Sequence, residues 1–253
     1  MRILRPVTAL FAVAWLAGCG GVVEGTAKPA PNLKPRPLTG QTVRKVLLDD
    51  AALSRMLNQP FVARNPPEFG GPDKLYHRDD ATPPPNCVGV TAMLQKSVYQ
   101  SADVQDVASE SWWNNGEPAQ VLTVIEGVVT LPSAAQAQTL FGQFSQQWQQ
   151  CSGTTTTDQT GPISTTNVIS DVRVDPSKSI VAATNTATSV LPNMPPLQPT
   201  PQARAIGVQM NCLVEVEVVF FGGRRPTDPG SAKVDTSAID IARAMMDKVN
   251  ALS

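Results

Sequence analysis

From Cys212 to Phe220 the chain alternates two kinds of side chain, and no other stretch limits its fold as tightly. Cys212, Val214, Val216, Val218 and Phe220 share one parity, and Glu215 and Glu217 share the other. Successive residues of a strand point to opposite faces, so this pattern predicts a strand with one face buried and the other wet. The strand is expected to run over 203–221. Further β-branched runs cover 104–109, 119–131, 167–173 and 179–191, with turn residues between them. Asn114-Asn115-Gly116 has the composition of a hairpin turn joining Trp112-Trp113 to the run at 119–131. A proline-rich turn over 192–201 separates the last two runs.

Helical periods interleave with these strands. Asp49 is placed to cap a helix in which Leu53, Met56 and Leu57 recur at helical spacing. After a Pro-, Gly- and Asp-rich loop over 59–85, residues 87–99 carry a short, rough helical period through Val90, Met93, Leu94 and Val98. Pro132-Ser133 ends a strand and starts a helix whose apolar face is Ala137, Leu140, Phe141, Phe144 and Trp148. A last helix begins near Thr236 and turns Ile241, Ala242, Met245 and Val249 inward. Helix, strands, helix, strands, helix with short links predicts an α+β fold: a single domain in which a twisted antiparallel sheet is backed by helices.

The first residues bear on where this domain folds. Met1-Arg2-Ile3-Leu4-Arg5 is basic, residues 6–16 are apolar, and Ala17-Gly18 are small, which is the grammar of a secretory signal. The apolar run falls short of the roughly 20 residues of a spanning helix. Leu16-Ala17-Gly18-Cys19 resembles the lipobox of bacterial lipoprotein signals. That resemblance implies cleavage before Cys19 and a lipid (palmitate-type acyl chains) on its thiol, so that residues 1–18 are a signal peptide. It puts the mature chain on the extracytoplasmic face of the cell membrane, with the membrane as its first partner. Residues 19–41 carry Gly20-Gly21, Pro29, Pro31, Pro35 and Pro37 among Lys28, Lys34 and Arg36, the composition of a flexible tether. Residues 42–253 are left for the folded domain. The net charge of −1 offers no field to recruit nucleic acid. Beyond Cys19 there remain Cys87, Cys151 and Cys212, and in an oxidising compartment one pair is expected to bridge and one thiol to be left over.

The chemistry-bearing residues do not assemble into a catalytic motif. His77, the one histidine, sits in His77-Arg78-Asp79, an echo of a kinase triplet without the phosphate loop or metal-binding motif that would give it meaning. No serine elbow accompanies it. Asp49-Asp50 and Asp79-Asp80 are adjacent acids of a helix cap and a loop, and no metal cluster or cofactor is expected. Glu215 and Glu217 have the spacing of solubilising acids on a wet strand face. Gly222-Gly223-Arg224-Arg225 reads as a strand-end turn with a basic edge. Trp112 and Trp113 point to opposite sides, one to the core and one to the surface, and the outward ring is the candidate for ligand contact.

Taken in order, several segments resemble the extracytoplasmic sensor domain of the mycobacterial PknH-type receptor kinases and their lipoprotein relatives. They are Leu47-Leu48 with its helix, Cys87-Val88-Gly89-Val90 with Tyr99, and Leu131-Pro132-Ser133. Trp148-Gln149-Gln150-Cys151, Arg204-Ala205-Ile206 and the C-terminal helix complete the set. The resemblance implies a cleft on the sheet that binds a ligand outside the cell, and it pairs Cys87 with Cys151. That bridge is worth roughly 4 kcal/mol by the chain-entropy argument. The family's second bridge falls near Gln202 and Phe220, neither a cysteine. Cys212 is then a buried free thiol, with a bridge to Cys87 or Cys151 as the alternative.

The expectation is a membrane-anchored extracytoplasmic lipoprotein with a non-catalytic, sensor-like domain of the mycobacterial cell envelope. It would bind a small molecule or lipid in an apolar-lined concave face. An envelope module that binds another protein or a cell-wall component is the alternative, and a hydrolase a lesser one.

Overall fold

The computed structural model describes residues 35–77, 87–114, 119–175, 177, 179–222 and 232–253. Its centre is a nine-stranded sheet with antiparallel pairing throughout. In chain order the strands are β1 (Val62–Ala63), β2 (Glu68–Gly70), β3 (Val107–Trp113), β4 (Val121–Thr130), β5 (Thr155–Thr160), β6 (Ile163–Asp175), β7 (Ile180–Val190), β8 (Thr200–Gln209) and β9 (Cys212–Phe220). Across the sheet they run β1-β3-β4-β9-β8-β7-β6-β5, with β2 also on the outer side of β3. The α+β expectation holds, and so does the pairing of the strand at Trp112-Trp113 with the next. Asn115 and Gly116 of that turn lie outside the described residues.

The helices form where their sequence signals fall. In α1 (Asp50–Leu57) the Asp49 carboxylate accepts from Ala52 N at 2.7 Å, which satisfies one orphan donor of the first turn. In α3 (Ala134–Gln150) Ser133 caps, and Ala137, Leu140, Phe141, Phe144 and Trp148 are buried. In α4 (Ser237–Leu252) Ile241, Ala242, Met245 and Val249 are buried. Gly207 lets α4 come this close: a Cβ there would stand 2.5 Å from Met246 Sδ.

Several sequence expectations are corrected. Residues 203–221 are not one strand but the hairpin β8–β9, turning through Met210 at φ +53° and Asn211. Residues 87–99 hold only one helical turn, α2 (Val88–Thr91), before Ala92 becomes extended. The segment gives up its weak helical period because its groups find better partners on the sheet. The loop over 59–85 contains the short strands β1 and β2, and β5, rich in Thr, was not expected at all. Finally, burial begins before residue 42. Leu38 is 3% exposed, its N donates to Asn211 Oδ1 at 2.8 Å, and Asn211 Nδ2 donates back to Leu38 O and to Leu131 O.

The face of the sheet opposite Val214 and Val216 is not wet. One face, bearing Cys212, Val214, Val216, Val218, Ala203 and Ala205, packs under α1, α4 and the 3₁₀ turn Gly40–Val46. The other, bearing Leu213, Ile206, Val208 and Val129, packs under α3 and the segment through Leu75, Val90, Leu94, Tyr99 and Val104. Cys212 is a buried free thiol whose pKa burial pushes up to about 12.

Cys87 and Cys151 are bonded, fastening the start of α2 to the end of α3 across 64 residues. Replacing both with serine is expected to lower the unfolding free energy by about 2–4 kcal/mol. Urea melts of oxidised wild type and the double variant check this, and equal midpoints would show that the bridge adds nothing to stability.

Candidate functional site

α3 and the 87–99 segment do not cover the whole of their face of the sheet. Toward the Thr200 end of β8 they leave a cavity of about 340 Å³. Tyr76, His77, Thr91, Ala92, Met93 and Gln95 line it from the covering segments; Ile125, Gln202 and Glu217 come from β4, β8 and β9; and Asp158, Thr165 and Asn167 come from β5 and β6. An apolar lining was expected from the sequence, but most of the side chains that line it are polar. The reason is strand parity: the positions that carry Leu213 and Ile206 under α3 carry Glu217 and Gln202 where α3 no longer reaches. A groove of about 400 Å³ beside residues 101–103 and α3 is lined mainly by exposed side chains.

A buried charged cluster holds the cavity wall to the sheet. Arg204, fully buried, donates from Nη2 to Glu215 Oε2 at 2.8 Å and to Gly89 O at 3.0 Å, and from Nη1 to Val216 O at 3.0 Å. Its Nε lies 3.9 Å from Glu217 Oε2, and its guanidinium carbon lies 5.7 Å from the Trp148 ring centre. The other oxygen of Glu215 accepts from Tyr99 Oη at 2.6 Å and from Leu94 N at 3.2 Å. Desolvation, then the Glu215 charge and its hydrogen bond, hold the Tyr99 phenol well above its usual range, against a smaller opposing effect of Arg204. Asn185 Nδ2 adds a bond to Val90 O at 2.9 Å. One arginine and one glutamate therefore reach three points of the 87–99 segment, Gly89, Leu94 and Tyr99.

That grip also accounts for the local backbone. Leu94 sits at φ +54°, which a leucine adopts only when its surroundings compel it. Its side chain and that of Met93 press on Gly127 of β4, where a Cβ would meet Leu94 Cδ1 at 2.8 Å and Met93 Cε at 2.9 Å. Met93 thereby becomes part of the cavity wall.

Glu215, expected to be solubilising, is 2% exposed, and Glu217 is drawn beside the same arginine. His77 is exposed, as expected of a loop histidine, and stands at the cavity; Arg78, Asp79 and Asp80 lie outside the described residues, as do Gly223, Arg224, Arg225 and Cys19. The structure separates the two tryptophans as parity predicts. Trp112 is buried and donates to Glu126 Oε2 at 3.1 Å; Trp113 is 36% exposed, with Arg64 over its ring at 5.1 Å. Neither lines the cavity. Among the described residues no group of three His, Cys, Asp or Glu could hold a metal ion, and no helix is long and apolar enough to cross a membrane.

The profile of one family, the PknH-like extracellular domain, matches residues 38–248. The chain belongs to the PknH-like extracellular domain family. Its fold is also that of the solved extracellular domain of PknH from Mycobacterium tuberculosis, with a TM-score of 0.67 at 19% identity, over 86% of this chain and 100% of that one. An uncharacterised Mycobacterium smegmatis protein is more distant, with a TM-score of 0.40 at 12% identity over 83% and 96% of the two chains. No curated protein matches by sequence. The family match begins at Leu38, where the burial of that side chain begins the folded body. The PknH-like domain of this chain thus carries its polar cavity at the Thr200 end of β8, and the root of its N-terminal segment at the other end, beside Asn211.

Proposed function

We propose that this chain is a lipoprotein of the mycobacterial type, anchored through Cys19 on the outer face of the cell membrane. Its PknH-like domain is a non-catalytic, sensor-like module that captures a ligand in the cavity between β4, β5, β6, β8, β9 and residues 76–77 and 91–95. The observation that carries this reading is the cavity, kept at the edge of the core by the Arg204–Glu215–Tyr99 cluster. A ligand touching Met93 or Gln95 presses on the same backbone that Arg204 and Glu215 hold, so occupancy can be felt in the packing of α2. The acids at the cavity each have a neighbour, Asp158 in Asn167 and Glu217 in Arg204, which supports binding over hydrolysis. Exposed Val190, Met194 and Leu197, at 40%, 52% and 45%, support a second reading, an envelope module that binds another protein.

Native mass spectrometry of the mature protein from its own envelope tests the ligand reading. The expected result is a retained small molecule, chemically unaltered after incubation and absent from Gln202→Trp, whose ring fills the cavity. A protein that arrives empty and whose melting temperature no compound shifts would overturn it. For the anchor, the intact mass is expected to show acylated Cys19, and Cys19→Ala is expected to move the protein from the membrane to the soluble fraction. An unmodified thiol, or a variant that stays with the membrane, would count against the lipid.

A further inference from the structure

Two amide oxygens among the cavity's lining side chains have no donor among the described residues. Gln95 is 5% exposed; its Nε2 donates to Met93 O at 2.9 Å, and its Oε1 has no donor among the described residues. Gln202 Oε1, across the cavity on β8, is equally without one. Asn167 spends its Nδ2 on Asp158 Oδ2 at 2.9 Å. Buried polar groups in native folds nearly always have partners, and a buried acceptor without one costs free energy until a donor arrives. Two such oxygens in the walls of one cavity mark where a ligand supplies hydrogens.

From this, and resting on the ligand-binding reading above, we infer that the cavity takes a neutral, hydroxyl-rich ligand of the saccharide class. An anion meets the carboxyl groups of Asp158 and Glu217. An apolar molecule buries these groups and both amide oxygens against carbon, which is the costly arrangement. A sugar ring brings several O–H donors at once, and the apolar parts of Tyr76, Met93 and Ile125 meet its C–H faces. Both amide oxygens are shielded from solvent, in side chains that line the cavity, so a hydroxyl reaches them when the side chain turns outward. The volume suits a small ligand.

Saturation-transfer NMR on the mature full chain, in a detergent without a sugar headgroup, tests this. The probes are the methyl glycosides of glucose, galactose, mannose, arabinofuranose and N-acetylglucosamine, with glucose 6-phosphate and 1-dodecanol for comparison. At least one neutral glycoside is expected to show transfer, with its Kd raised about tenfold in Gln95→Met and in Gln202→Met and unchanged in Gln143→Met on α3. Thermal melts establish that each variant folds; should Gln95→Met fail, half-buried Gln202 carries the test. If only 1-dodecanol or glucose 6-phosphate binds, and Gln202→Met weakens it, the saccharide class is overturned while the cavity reading stands. Glycoside binding indifferent to both glutamines overturns the assignment to these walls. Silence from every probe overturns both readings.

Discussion

Arg204→Ala is expected to lower the unfolding free energy by about 3–5 kcal/mol, the cost of leaving a buried charge without its partner. The loss is large because Arg204 serves several acceptors at once. Without it the Glu215 carboxylate keeps only Tyr99 Oη and Leu94 N, while Gly89 O and Val216 O each lose the bond from the guanidinium. Arg204→Lys is expected to recover little, since a single ammonium cannot reproduce the planar fork that meets these acceptors. Pairing Arg204→Met with Glu215→Gln removes both charges together, so the double variant is expected to cost at least 1 kcal/mol less than the sum of the singles. Urea unfolding of the four proteins measures the coupling. Simple additivity, or a cost for Arg204→Ala under about 1 kcal/mol, would sink the claim that this pair clamps the wall. Hydrogen exchange gives a local readout: the amide of Leu94, bonded to Glu215, is expected to lose protection in Arg204→Ala before the amides of β8 and β9 do.

This cluster also shows where sequence reasoning reached its limit. The helices α1, α3 and α4 were legible because their apolar stripes recur over two turns or more, and Asp49 and Ser133 cap the first two in the ordinary way. The alternation in β9 was legible too, but it shows only that Glu215 and Glu217 share a face, not what covers it. Their cover is the 87–104 stretch, which has little regular period and is held by side-chain bonds to the sheet rather than by a pattern of its own. The signal that could have found the pair is the register of β8 on β9, which sets Arg204 opposite Glu217. It was hidden by reading 203–221 as one strand, because the turn at Met210-Asn211 uses neither glycine nor proline and Asn211 is itself buried. The resemblance to the sensor family had already picked out Arg204-Ala205-Ile206, without a physical role for the arginine. For the cavity, the sequence offered the tryptophans, being the conspicuous aromatic pair. The structure instead draws on Gln95, Asp158, Asn167 and Gln202, plain polar residues on four separate segments that no spacing rule connects.

On the opposite face, the stability of the domain is expected to fall by roughly 4 to 5 kcal/mol as the pH rises from about 4.5 to 8, because of Glu126. This carboxyl is 0% exposed, with Trp112 Nε1 3.1 Å from Oε2 and Leu48 N 3.3 Å from Oε1. Burial raises its pKa to about 8, against the lowering effects of those two bonds, with a further rise from the Glu110 charge and a lowering from Lys248. An unfolded chain ionises Glu126 near 4.5, while the folded chain keeps the proton until about 8. Between those values the native state binds more protons than the unfolded state, and stability therefore declines with rising pH at up to 1.4 kcal/mol per unit. Below 4.5 both states are protonated and the full stability is present; above 8 both are ionised and the decline stops. Glu126→Gln cannot ionise, so it is expected to flatten this part of the profile. It should be less stable than wild type at pH 5, where its amide satisfies only one of the two donors, and to close or reverse the gap by pH 8. Urea melts of both proteins at pH 5, 6.5 and 8 decide it, because the other titrating groups are common to the two and drop out of the difference. Parallel profiles would mean that Glu126 already carries its charge in the native core.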